Sequence, residues 1–276
     1  MEKVAIVGVG LIGASFGLAL RKAGYDGPII GVSSEAALEA GLEAGAISDT
    51  APLLEAVEQS DLIYLSQPVD RIIETLAKIG PVARAGTLIT DAGSTKVAIG
   101  QAAAEHVKRA TFLGGHPMAG KEARGATAAQ ADLFVGRPYV LDQVEGVQAD
   151  EFRSWIRRMG AHVIEMSASQ HDATVALTSH LPQLISTALA SYLSAQSETA
   201  IDQVFGSGLL DMTRLALSPA DLWFSIINTN RENVIRAVDG YIEALIKLKG
   251  SIGTDDFSSI FASSSSKAAT YRKNPR

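Results

Sequence analysis

Three stretches of this chain have residue types and spacings that can do chemistry. The first is Gly114-Gly115-His116-Pro117-Met118-Ala119-Gly120, directly after the apolar run Thr111-Phe112-Leu113. A neutral imidazole can take a proton near neutral pH. The glycines let a ligand approach closely and Pro117 stiffens the exit. The second is Gly8-Val9-Gly10-Leu11-Ile12-Gly13, a G-x-G-x-x-G between a strand pattern and a helical one. Its first glycine permits a tight turn, its second admits a pyrophosphate, and its third lets helix pack close to strand. The helix start at Leu11 and Ile12 then faces the phosphates. The third is Asp91-Ala92-Gly93-Ser94-Thr95-Lys96, which closes one strand and opens a helix. That places Asp91, Gly93 and Ser94 at the same crevice as His116. Ser94 can orient an imidazole or bond a substrate hydroxyl there, or it can simply cap the helix. Read alone, His116 is as readily a loop histidine bonded to a backbone carbonyl.

Further candidates flank these. The strand Pro28-Ile29-Ile30-Gly31-Val32 ends in Ser33-Ser34, with Glu35 one step on. A carboxylate there would hold a ribose 2′-hydroxyl and repel a 2′-phosphate, whereas hydroxyls can donate to the phosphate. The pair therefore favours NADP, with NAD the alternative; Ser34 also suits a helix cap. Leu62-Ile63-Tyr64-Leu65-Ser66 runs into Gln67-Pro68, where proline ends the strand and Ser66 and Pro68 line the nucleotide crevice. Ser179-His180-Leu181-Pro182 puts a histidine beside a proline that would kink a helix. Arg214 offers a fork for a carboxylate, and Asp211, one turn earlier, can hold that fork or form an ordinary intrahelical pair.

The elements that must position these groups alternate. Apolar runs at 4–7, 28–32, 62–66, 87–90 and 111–113 read as buried parallel strands. Helical patterns lie between them, at 14–23, 35–44, 52–59, 70–79 and after Lys96. Late strands at 139–141 and 162–164 flank a helix around 152–159. The pattern predicts an α/β, Rossmann-type doubly wound parallel sheet over 1–167. Alternation then stops. Helical patterns at 171–193, 200–216 and 221–249 predict an all-helical domain over 168–276, and the apolar helix 222–248 predicts a homodimer. The serine-rich stretch from Ser251 reads as a weak helix with a frayed end over 271–276.

Composition narrows the partners. With 276 residues, 47% of them hydrophobic and 20% charged, the chain can build a real core. A net charge of −6 provides no basic field for nucleic acid. The absence of cysteine excludes disulfides, thiolate metal sites and a cysteine nucleophile, and fits a reducing compartment. No stretch reads as a leader or a bilayer span, which predicts a soluble cytoplasmic protein with no membrane partner and no metal.

Taken in this order, with Leu222-Trp223 after the Arg214 motif, these blocks make the chain resemble the prephenate/arogenate dehydrogenase family of tyrosine biosynthesis, nearly end to end. The resemblance implies NAD(P)-dependent oxidative decarboxylation of a cyclohexadienol. Hydride leaves the hydroxyl-bearing carbon, the ring carboxylate departs as CO2, and the ring becomes aromatic. It implies His116 as proton acceptor, Ser94 orienting that imidazole, Arg214 on a substrate carboxylate, Asp211 and His180 near the substrate side chain, and Trp223 walling the site. It also implies a helical dimerisation domain, with any tyrosine inhibition acting at the active site. Ser207-Gly208-Leu209-Leu210 departs from the Gly-Gly-Phe-Arg usual there, which leaves prephenate against arogenate open. Two other readings compete. A β-hydroxyacid dehydrogenase or imine reductase needs a helical catalytic lysine, and none stands convincingly between Ser169 and Lys247. A non-catalytic NADP-sensing protein needs the crevice but not Ser94, His116 and Arg214.

Overall fold

The computed structural model describes residues 1–121, 123–197 and 199–273. The chain forms two compact units. The first is Met1–Thr174 with Ser218–Asn230; the second is Val175–Leu217 with the chain from Arg231 onward.

The first unit begins with β1 (Val4–Val7), α1 (Leu11–Lys22), β2 (Ile29–Val32), α2 (Glu35–Glu43), β3 (Asp49–Thr50) and α3 (Leu53–Gln59). It continues with β4 (Leu62–Leu65), α4 (Val69–Ile79), β5 (Leu88–Asp91), α5 (Val97–His106) and β6 (Thr111–Leu113). All six strands run parallel in the order β3-β2-β1-β4-β5-β6. The order reverses between β1 and β4, and ligands bind such sheets at that reversal, outside the strands' carboxyl ends. β1 and β4 are buried along their whole length, which accounts for their unbroken apolar runs. In α4, buried Val69, Ile72, Leu76 and Ile79 recur at helical spacing and seal one face of the sheet. On the other face Phe16 stacks on Tyr64, with ring centroids 3.8 Å apart.

Two expectations are corrected here. His116 sits in a short strand, β7 (Gly115–Pro117), and not in a loop. The late strands β8 (Pro138–Leu141) and β9 (His162–Glu165) do not extend the large sheet. They join β7 in a separate three-stranded sheet, with β7 antiparallel to β8 and β8 parallel to β9 across α6 (Val147–Arg158). The physical reason is close approach of β7 to the end of β5: a Cβ on Gly115 would lie 2.7 Å from the Asp91 carbonyl oxygen. The chain turns there into a new ladder. The two sheets meet at a buried pair, with the Tyr139 hydroxyl donating to Tyr64 over 3.2 Å. Burial pushes both phenols well above their ordinary range. α7 (Ala168–Val175) follows β9.

In the second unit a π-type turn over Ala176–His180 leads into α8 (Leu181–Ser194). Pro182 has no N–H to donate one turn back, and the widened turn absorbs that loss where the sequence predicts a kink. The helix expected over 200–216 is broken into α9 (Ser207–Thr213) between 3-10 turns at Thr199–Asp202 and Arg214–Leu217. The later turn is stitched to α8: Gln183 donates to the Leu215 carbonyl over 2.8 Å, and Ser186 accepts the Ala216 N–H over 3.0 Å. The chain then rejoins the first unit as α10 (Ala220–Thr229) and returns as α11 (Arg231–Ser251) and α12 (Asp255–Lys273). The single helix expected over 221–249 is thus broken at Asn230. Of the frayed end expected over 271–276, residues 271–273 continue α12 and 274–276 lie outside the described residues. No helix among the described residues is long and apolar enough to cross a membrane.

Candidate active site

The glycine motif has the shape its spacing predicts. Gly8 has φ +98°, and a Cβ there would lie 2.9 Å from the Ser66 backbone. A Cβ on Gly13 would lie 2.2 Å from the Gly8 carbonyl oxygen. Only hydrogen fits at either position. Gly10 differs: nothing lies within 4 Å of its Cβ position, and it precedes α1 with no side chain capping the helix. The first amides of α1, including those of Leu11 and Ile12, therefore open toward free space beside a bare backbone. That cradle fits a dinucleotide pyrophosphate. The Ser66 hydroxyl donates to the Gly8 carbonyl over 2.8 Å, so this side chain holds the turn from beneath. Pro68 is exposed at the start of α4. Ser33 and Ser34 are exposed just beyond β2. Ser34 occupies the cap position of α2, but its hydroxyl makes no capping bond.

His116, in β7, pairs with Val140 of β8 and is half-buried. Its Nδ1 is 2.8 Å from Nε2 of His171, with the two rings edge to face. Nδ1 of His171 is in turn 2.8 Å from Oδ1 of Asp172. That carboxylate also accepts the backbone N–H groups of Lys96, over 2.7 Å, and Val97, over 2.9 Å. It therefore caps α5, the part expected of Ser94. His171 and Asp172 are both buried, on α7. Asn230, at the break after α10, donates to the Asp172 carbonyl over 2.7 Å, and Thr229 meets Thr95, hydroxyl to hydroxyl, over 2.8 Å. The end of α10 thus latches the strand-to-helix loop and α7 together. Sequence reasoning missed His171 and Asp172. The only available signal was an adjacent His-Asp pair where the strand alternation stops.

Asp91 and Lys96 form a buried ion pair beneath this assembly. Lys96 also donates to the Gly115 carbonyl over 2.7 Å. Asp91 accepts the Gly115 N–H over 3.1 Å and the Gly93 N–H over 2.8 Å. These bonds pin both backbone groups of the residue before His116. Asp91 and Gly93, which the sequence puts at the cofactor crevice, also have structural roles. The Asp91 side chain is fully buried and spent on the turn. A Cβ on Gly93 would strike Ile99, 2.5 Å away, so this glycine serves packing. Ser94 is half-buried in the same loop, and the partner of His116 Nδ1 is His171, where the sequence suggested Ser94. Asp142, after β8, packs against Gly114. Burial pushes its carboxyl up from the ordinary 3.8; Asp91 and Asp172 add to this, while Lys96 and His171 oppose it.

Trp223 lies in the first unit, on α10, with its indole N–H donating to Ser218 over 2.9 Å. His180, Asp211 and Arg214 belong to the second unit. His180 is buried at the end of the π-type turn; Asp211 and Arg214 are exposed, Arg214 opening the 3-10 turn anchored to α8.

Comparison with known proteins places this architecture. Residues 16–165 match the nucleotide-binding domain of prephenate dehydrogenase, and residues 167–263 its dimerization domain. The prephenate dehydrogenase of Lactococcus lactis is 30% identical over 246 residues, covering 87% of this chain and 68% of that protein. The crystal structure of Aquifex aeolicus prephenate dehydrogenase, in complex with hydroxyphenyl propionate and NAD+, superposes with a TM-score of 0.89 at 27% identity over 98% of each chain. Synechocystis arogenate dehydrogenase superposes with a TM-score of 0.84 at 28% identity, over 98% of this chain and 99% of its own. With both halves matched in order, this chain belongs to the prephenate dehydrogenase family of oxidoreductases.

Proposed function

We propose that this chain oxidatively decarboxylates prephenate, arogenate or both, with NADP as favoured cofactor and His116 as acceptor of the ring-hydroxyl proton. The observation that carries the reading is the fixed imidazole. His116 is held through Nδ1 just beyond β6, at the carboxyl edge of the sheet whose β1 end opens the Gly10 cradle. Proton exchange with a substrate then falls to Nε2. The nicotinamide, when bound, supplies the hydride acceptor. Gly10 with the amides of Leu11 and Ile12 would hold its pyrophosphate, and Ser33 and Ser34 its ribose end. Hydride loss becomes easier as the hydroxyl proton leaves, so a base held at one atom speeds the step. Arg214 binds a substrate carboxylate with a planar fork, with Asp211, His180, Trp223 and Ser94 contributing to substrate contact. The NADP preference is supported by the absence of a carboxylate at residues 33 and 34 and by the uncommitted Ser34 hydroxyl. The A. aeolicus complex with NAD+ keeps NAD as the alternative. The abutting family matches support a division near residue 167, and the dimerization-domain match supports a homodimer. Tyrosine, as a product analogue, would inhibit at the same site.

The test is a two-by-two assay of prephenate or arogenate with NAD or NADP, followed by absorbance of the reduced cofactor. Turnover in the NADP cells is expected. Silence in all four with tight NADP binding would overturn the reading and favour a sensing protein. His116→Asn should retain cofactor binding and lose turnover by about 100- to 10,000-fold. Unchanged turnover would remove His116 from the chemistry.

A further inference from the structure

We infer that His171 and Asp172 act through His116 as positioning residues, setting its tautomer and sharing the proton it takes. The inference rests on the reading that His116 accepts the ring-hydroxyl proton. Its ground is the unbroken line from Asp172 Oδ1 to His171 Nδ1 and from His171 Nε2 to His116 Nδ1, each step 2.8 Å. A carboxylate only accepts, so the proton between Asp172 and His171 sits on His171 Nδ1. That leaves His171 Nε2 as an acceptor in the neutral ring. The proton between the two rings therefore sits on His116 Nδ1, and His116 Nε2 carries the lone pair that a general base needs. A rotated Asp172 would break this order, but two backbone amides of α5 hold its carboxylate and Asn230 holds its carbonyl.

The same line gives the captured proton somewhere to go. As the hydroxyl proton moves to His116 Nε2, the Nδ1 proton can move to His171 Nε2. The positive charge then lies on His171 against the Asp172 carboxylate, one ring further from the substrate. The electrons balance: the C–H pair leaves as hydride to the oxidised nicotinamide, the O–H pair becomes the carbonyl bond, and the pair released with CO2 enters the ring. Both relay residues are almost fully buried, at 0% and 1% exposure, so water does not compete for the intermediate positions.

Two variants of His171 separate the two roles. Gln can accept from His116 Nδ1 and donate to Asp172, so His171→Gln keeps the tautomer but cannot pass a proton. His171→Leu loses both. In the apo protein, nitrogen-15 NMR should find His116 protonated on Nδ1 in wild type and in His171→Gln, and a tautomer mixture in His171→Leu. Turnover should fall about 10-fold in the Gln variant and roughly 100- to 1,000-fold in the Leu variant, with KM and cofactor affinity changed by no more than about twofold. The dependence of rate on D2O fraction should be bowed for wild type and straight for His171→Gln. An unchanged His116 tautomer and unchanged kcat in His171→Leu would overturn the inference. If that variant does not fold, an unchanged bow and kcat in His171→Gln would do so. A wild type silent with both substrates overturns the functional reading instead, while the tautomer comparison still decides whether His171 sets the His116 ring.

Discussion

Ser33 and Ser34 present hydroxyls where many dinucleotide sites carry an acid. Ser33→Asp would set a negative charge against the 2′-phosphate at an exposed position, leaving the fold alone. It should raise the KM for NADP about 10- to 100-fold and leave that for NAD nearly unchanged, measured in parallel titrations. Asp142 is the second residue with a consequence of its own. Its carboxyl is raised by burial beside Gly114, so ionising it costs more in the folded chain than in the unfolded one. A raised native carboxyl contributes stability below the unfolded value of 3.8 that is lost as pH rises through the native value. Asp142→Asn removes that loss. The variant's advantage over wild type in urea midpoint should be larger at about pH 7 than at about pH 4.5; an advantage independent of pH would mean the charge is not the cause.

Helix breaks carry information that helix interiors do not. The pattern over 221–249 reads as one continuous helix, yet the chain breaks at Asn230, and the break is what lets its amide reach the Asp172 carbonyl. Local propensity cannot reveal this, because the partner is 58 residues away. Asn230→Ala leaves that buried carbonyl without its donor. It should destabilise the first unit by about 1–3 kcal/mol, read from urea unfolding. A loss confined to a few tenths would show that water replaces the amide. The β7 strand teaches the same lesson in a sheet. Three residues that begin with glycine and end with proline carry no strand pattern, and their ladder exists because Asp91 and Lys96 pin Gly115.

For the whole molecule, the dimer reading makes its own demand. Ile235, Ile242, Leu245 and Ile246 are all exposed on α11, at spacings that set them along one face. Such a stripe needs a cover, and the dimer reading assigns that cover to a second copy. Ile242→Glu with Ile246→Glu should halve the mass seen by light scattering and remove the dependence of Tm on protein concentration. A dimer that survives both substitutions would move the interface elsewhere.

Of the six parallel strands over residues 4–113, the two-residue β3 is too short to show a pattern. The other five, the helices between them and the glycine cradle were legible in the chain, because each rests on local periodicity or on glycines with one steric purpose. Gly8 and Gly13 are examples, each hemmed in by backbone a few ångströms away. The partners of His116 were not legible. His171 and Asp172 lie more than fifty residues further on, in a helix whose sequence resembles any other, and only folding brings them beside β7. The same holds for Asp91, whose buried carboxylate accepts the Gly93 and Gly115 N–H groups, bonds that its place in a crevice motif did not reveal. Sequence determines which backbone conformations are permitted at each point. Which side chains then share a proton depends on distances across the fold, and only the tertiary structure decides those.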